Sequence, residues 1–232
     1  MKSLTHRKNS RALAAEFVGT ALLLAGVVGS GIMGQRLSQG NDALALLANA
    51  LATGFLLPVL ILLLAPFSGA HFNPVVSLAE ALSRRLRARI LLAYVAAQTA
   101  GAVAGVWLAH AMFAEPILQA STHMRTGGAQ WISEFVATFG LLLLVLLRRR
   151  FSNSALPWMI GAYIAAAYWF TASTSFANPA VTLARSLTNT FAGIRPGDAP
   201  GFMLAQLAGM LAALAFTRWI DAEEQTDAGK TT

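Results

Sequence analysis

Asn-Pro occurs twice in this chain of 232 residues, each time inside an apolar stretch: Asn73-Pro74-Val75 and Asn178-Pro179-Ala180. Proline opens a helix well, because the first helical N–H has no partner to lose, and an asparagine just before it can cap the new helix. Each copy heads a segment too short to cross a bilayer, NPVVSLAEAL and NPAVTLARSL. A matched pair of interrupted apolar segments is the best sequence-level pointer to a permeation site in a membrane. Two half-helices entering from opposite faces would aim their N-termini at one another across the lipid.

Charged residues make up 12% of the chain and hydrophobic ones 56%. Soluble domains carry roughly twice that share of charge, about 25%, so the composition is that of a membrane protein. Apolar runs of about 20 residues, the length a lipid core requires, predict spans at 11–33, 43–65, 88–112, 130–147, 155–172 and 200–220. With the N-terminus inside, 13 of the 17 Lys and Arg fall on the inner face, including Arg84, Arg85, Arg87, Arg89 and the run Arg148-Arg149-Arg150. Only Arg36, Arg125, Arg185 and Arg195 fall on the outer side. That bias predicts cytoplasmic N- and C-termini in a plasma membrane. The net charge of +7 is therefore topology and not a nucleic-acid footprint. Cysteine is absent, which excludes a disulfide framework or thiolate metal site. Basic residues followed by ALAAEFVGTALLLAGVVG resemble a signal peptide, but Glu16 and the length of the stretch argue against cleavage.

The two halves of the chain repeat. AEFVGTALLL at 15–24 returns as SEFVATFGLLLL at 133–144, Asn73-Pro74 as Asn178-Pro179, and AQTAGAVAG at 97–105 as AQLAGMLAA at 205–213. The landmarks Glu16, Asn73, Gln98 and Glu134, Asn178, Gln206 keep one order. Three spans plus one broken segment per half is an odd number of crossings, so the halves are inverted. The expected organisation is a short N-terminal segment 1–10, a transmembrane domain 11–220 (repeat 1 about 11–112, repeat 2 about 130–220) and a polar tail 221–232. The fold class is all-α, with six transmembrane helices and two half-helices. DAEEQTDAGKTT lacks core-forming residues, so the tail is expected to be disordered. Gly101 and Gly105, at small-xxx-small spacing, let helix backbones approach closely.

Non-helical chain at membrane depth must line a wet cavity or be buried in protein. FSGAHFNP and STSFANPA would be such descending loops, their carbonyls forming a ladder of acceptors. Each half-helix of about ten residues spans about 15 Å, and two end to end match a core of about 30 Å. Where they meet, two helix ends each present roughly half a positive charge, which opposes cations. The side-chain amides of Asn73 and Asn178 would donate to a neutral solute, and would turn a central water so that a proton-conducting chain is interrupted. Helix capping by the same residues uses the side-chain oxygen and is compatible with this.

SGAHFNPVVS at 68–77 and TSFANPAVTLARSL at 174–187, with AEFVGT in the first span, resemble the aquaporin (major intrinsic protein) family. The resemblance covers about residues 12–220 and implies a pore in each protomer of a homotetramer. It also marks a departure. The family usually places Arg directly after the second Asn-Pro-Ala, where this chain has Val181. By resemblance the outer constriction would be Thr53, from ALATG at 50–54, Ala166 from the fifth span, Ser175 from the second loop, and Val181. Every member is smaller than in water channels and the charged donor has gone. A wide, mildly amphipathic aperture is expected to pass water and glycerol-like solutes. Bacterial aquaporins associated with arsenic resistance look similar, which points to arsenous acid and methylated arsenicals. Arg185, one helical turn beyond Val181, is either a displaced filter cation or a residue bonding loop carbonyls.

Glu16 and Glu134 are expected to accept from the N–H groups of the descending loops, and His71 to brace its loop or gate the inner mouth. His6, His71, His110 and His123 show no paired ligand spacing, so no metal is expected. No catalytic motif and no cofactor site is present, which argues against an enzyme. The expected partners are water, small neutral solutes and the lipid bilayer. Secondary transport remains the alternative, because transporters also use inverted repeats and broken helices, although no charge sits at the predicted midplane. A purely structural membrane scaffold is a third reading.

Overall fold

The computed structural model describes the backbone of residues 2–228 and the side chains of residues 9–222. Among the described residues there are eight α-helices and no strand: α1 Lys2–Leu37, α2 Asp42–Ser68, α3 Pro74–Leu82, α4 Ala88–Phe113, α5 Gly128–Leu146, α6 Ala155–Phe170, α7 Pro179–Arg185 and α8 Ala199–Ala228. Both short helices, α3 and α7, begin at the proline of an Asn-Pro pair. Five of the others are long and apolar enough to cross a membrane. The sixth, α6, has 16 residues and so about 24 Å of length, less than a hydrocarbon core. The helix stops at Phe170, where the sequence turns to Thr171-Ala172-Ser173-Thr174-Ser175 and the chain enters the second descending loop.

Local chemistry sets several boundaries. Asn41 caps α2 by accepting from the Leu44 N–H at 3.1 Å. Gly69 ends the same helix in the left-handed region (φ 87°), its N–H returning to the Ala65 carbonyl. At the far end of the chain, the disorder expected of the tail is corrected. Residues 221–228 continue α8, and 229–232 lie outside the described residues. The segment DAEEQTDA is rich in helix formers and extends an existing helix, so it escapes the cost of nucleation.

α1 packs against α4 and α2, α5 against α8, and α2 against α6 across the boundary between halves. The α1–α4 pair of the first half is thus repeated as α5–α8 in the second. A Cβ at Gly101 or Gly105 would collide with the backbone of Phe17 or Ala21 on α1, and one at Gly209 with the backbone of Phe135 on α5. Backbones this close require glycine. Leu24, Val28, Ala102 and Val106 fill the first of these seams, and Leu142 and Met210 the second.

Both ends of the described chain lie on one face of the bundle, called here the terminal face; the opposite one is the loop face. Arg150 meets Asp221 at 3.9 Å on the terminal face, and Arg36 meets Glu115 at 2.9 Å on the loop face. The half-helix α3 runs from the interior towards the terminal face, where Arg218 reaches the Leu82 carbonyl. α7 runs the other way, and its Ser186 carbonyl takes the Ser121 N–H at 3.0 Å on the loop face.

A candidate permeation site

Asn73 and Asn178 both have extended backbones (φ −155° and −160°), as N-caps do. The Asn73 Oδ1 accepts from the Val75 N–H at 3.0 Å; the Asn178 Oδ1 accepts from Ala180 at 3.0 Å and Val181 at 3.3 Å. Their amide nitrogens cross between repeats. Asn73 Nδ2 donates to the Ala177 carbonyl at 2.7 Å, and Asn178 Nδ2 to the Phe72 carbonyl at 2.8 Å. An amide carries two hydrogens, so one on each nitrogen remains for the cavity that both asparagines line. Pro74 and Pro179 start the helices, while Val75 and Ala180 are fully packed and contribute backbone N–H groups to the caps.

The loops leading to these helices share a backbone pattern. Gly69, Ala70 and Phe72 have φ of 87°, 51° and 50°, and the repeat-related Thr174, Ser175 and Ala177 have 60°, 51° and 49°. Left-handed conformations at non-glycine residues cost on the order of 1–3 kcal/mol each, so something must hold them. The holders are Glu16 and Glu134, both fully buried. Glu16 accepts from the N–H groups of His71 (2.9 Å) and Phe72 (2.7 Å), and Glu134 from those of Phe176 (2.8 Å) and Ala177 (2.9 Å). Gln98 Nε2 ties Glu16 (2.8 Å) to Ser77 on α3 (2.8 Å); Gln206 Nε2 ties Glu134 (2.6 Å) to Thr182 on α7 (2.9 Å). Three donors per carboxylate offset the cost of burying its charge. His71 bonds Ser77 Oγ through Nδ1 at 3.0 Å and lines the cavity.

A cavity of about 630 Å³ runs past both asparagines. Towards the terminal face it is rimmed by Glu80, which pairs with Arg148 at 2.7 Å and Arg85 at 3.4 Å. Towards the loop face it is lined by Thr53, Ser175, Val181 and Arg185, together with Ile164 and Tyr168 of α6. Ala166, the fifth-span residue expected in this ring, is instead exposed on the outer surface of α6 and lies outside the lining. Helix register is the reason: Ile164, Ala167 and Tyr168 are the buried residues of this turn, and Ala166 sits between them on the other side. Tyr168 takes the inward place, its hydroxyl 3.3 Å from the Thr53 hydroxyl. Ser175 is buried with its Oγ unpartnered.

Arg185 is 2% exposed, donates through Nε to the Ala192 carbonyl, and lays its guanidinium over the Phe176 ring at 3.4 Å. It therefore bonds a loop carbonyl and lines the cavity at once. Arg125, in the α4–α5 connector, approaches the same ring at 5.3 Å and donates to the carbonyls of Gly193 (2.8 Å) and Ser173 (3.3 Å). Burial pushes the Arg125 guanidinium below its ordinary pKa, against the pull of Glu134 and Tyr168. Sequence reasoning missed Tyr168, Arg125 and the Glu80 cluster. The repeat had already marked Gln98 and Gln206, though not their task.

The sequence matches the major intrinsic protein family over residues 3–175. The chain belongs to this family. It is 61% identical to aquaglyceroporin AqpS of Rhizobium meliloti (strain 1021) across 91% of this chain and 90% of that protein. Aquaporin NIP6-1 of Arabidopsis thaliana is 30% identical over 58% of this chain and 44% of its own length. The X-ray structure of the aquaglyceroporin from Plasmodium falciparum superposes with a TM-score of 0.71 over 90% of this chain and 95% of that one, at 20% identity, a likeness of fold. Major intrinsic proteins are channels and not enzymes, and this chain is an integral, multi-pass member of that class.

Proposed function

We propose that the protein is a passive channel for water and small uncharged hydroxylated solutes: glycerol-like polyols, undissociated arsenous acid and methylated arsenicals. The observation that carries this reading is the cavity past Asn73 and Asn178, whose amides each keep a hydrogen for a passing solute. We take the constriction to be bordered by Thr53, Tyr168, Ser175 and Val181, three hydroxyl-bearing side chains and an apolar one from the loop-face lining. Such a wall suits molecules with hydroxyls on one side and little polarity on the other. The aquaglyceroporin name of the 61% identical rhizobial protein agrees with it. The channel works as a homotetramer in a bacterial inner membrane with both termini in the cytoplasm, which makes the loop face the outer one. Coupled transport gains no support. Among the described lining residues Glu80 is the one carboxylate, and it is paired with arginines at the terminal mouth, away from the asparagines.

Stopped-flow light scattering on proteoliposomes tests the proposal. The wild type should pass water, glycerol and arsenous acid in proportion to the gradient and independently of membrane potential. Val181→Arg should cut glycerol and arsenous acid flux more than water flux. Equal loss of all three would show that Val181 does not border the aperture, and uphill accumulation would replace the channel by a transporter.

A further inference from the structure

We propose that Arg185 and Arg125, both gathered at the Phe176 ring, form the cation barrier of the loop-face mouth, with the connector residue Arg125 as its second charge. This rests on the channel reading above and adds residues to it. The position that follows the second Asn-Pro-Ala carries no charge here, since it is Val181. The charge is recovered from two other places, one helical turn further along α7 and the α4–α5 connector.

Three observations converge. Arg185 lines the cavity while almost wholly buried, so its field is poorly screened where a solute passes. Neither guanidinium has a carboxylate within ion-pair distance among the described residues. The nearby acids are engaged otherwise: Asp198 by Arg195 at 2.8 Å and by the Arg125 backbone N–H at 2.9 Å, Glu134 by the descending loop. Both side chains are instead held by carbonyls and by Phe176, partners that fix a cation without cancelling it. Phe176 is itself fixed by the Glu134–N–H bond and by its edge contact with Phe202 at 5.1 Å. The pair is thus tied to the same scaffold that sets the asparagines. Two arginines outweigh the one nearby buried carboxylate, Glu134, and a cleft in which one sign of charge predominates excludes ions of that sign by electrostatic focusing. Arg125 does this from the α4–α5 connector, outside both Asn-Pro segments, which is why no motif advertises it.

The test is potassium leak measured beside water permeability in the same proteoliposomes, for the wild type, Arg125→Gln, Arg125→Lys, Phe176→Leu and the double variant Arg125→Gln/Arg185→Gln. Arg125→Gln should raise the leak about tenfold and the double variant further, the scale on which such fields alter local ion concentration. Arg125→Lys keeps the charge and should stay tight. Phe176→Leu keeps both charges without the ring that gathers them and should leak between these limits, which reads the barrier even where the arginine variants do not assemble. A leak that stays at the wild-type level in Arg125→Gln and Phe176→Leu overturns the proposal. So does an Arg125→Lys variant that leaks as much as Arg125→Gln, since the residue would then only position its loop. Absence of water and solute flux in the wild type would strike the channel reading, whereas normal flux with an unmoved leak strikes this proposal alone.

Discussion

Replacing Glu134 by Gln is the sharpest probe of how the candidate permeation site is held. Three donors converge on the carboxylate: the N–H groups of Phe176 and Ala177, and Gln206 Nε2 at 2.6 Å. A glutamine keeps one acceptor oxygen and sets an N–H₂ against a backbone N–H. Hydrogen bonds to a charged group contribute about 1.5–3 kcal/mol each, and an orphaned buried donor costs about 1–3 kcal/mol. Removing the carboxylate also removes its desolvation penalty, which is several kcal/mol for an ion without partners. Here the partners already compensate that charge, so the losses dominate and a net destabilisation of about 3 kcal/mol is expected. For a chain of this size that lowers the apparent Tm by roughly 6–12 °C. Water permeability should fall with it, because Thr174, Ser175 and Ala177 lose what holds them in left-handed conformations. Thermal unfolding in detergent and stopped-flow permeability are the assays. The cross-repeat bonds from Asn73 to Ala177 and from Asn178 to Phe72 couple the loops, so Glu16→Gln added to Glu134→Gln should cost less than the two singles combined. A Glu134→Gln variant with unchanged Tm but altered proton conduction would refute the bracing argument and make the carboxylate a relay.

Tyr168→Ala should enlarge the aperture and raise flux of polyols larger than glycerol relative to water, while Ala166→Leu on the outer surface of α6 should leave the ratio of solute to water permeability as it was; the same stopped-flow series reads both. Gly101→Val drives a side chain into the Phe17 backbone and should abolish the folded protein in size-exclusion profiles, whereas Gly128→Ala, with open space around it, should shift stability by no more than about 0.5 kcal/mol.

The architecture was legible because it is written in long-period signals. Apolar run length marked six spans, and the recurrence of Glu16, Asn73 and Gln98 as Glu134, Asn178 and Gln206 marked the inverted halves, the Glu and Gln landmarks bonding within their own repeat and the asparagine amides across to the other. The loop-face lining was harder to place, because it depends on which way a side chain turns. Consecutive residues of a helix differ by about 100° in direction, so a count that misses by two residues rotates the assignment by about 200°. That is the distance between Ala166 on the surface and Tyr168 in the cavity. Counting back from Asn178 could not fix the register, because the segment it crosses, 171–177, is not helical and carries three left-handed residues. Apolar content could not fix it either: in IAAAYWF nearly every residue is apolar, so inward and outward faces look alike where lipid replaces water outside. The tyrosine hydroxyl was an available signal, since a buried phenol in such a helix needs a partner, and at the inward face Thr53 supplies one. The same reasoning applies to Arg125. Sequence order puts it in a connector, and what gives it a place at the mouth is three-dimensional: two carbonyls and an aromatic ring from the descending loop and the segment after α7.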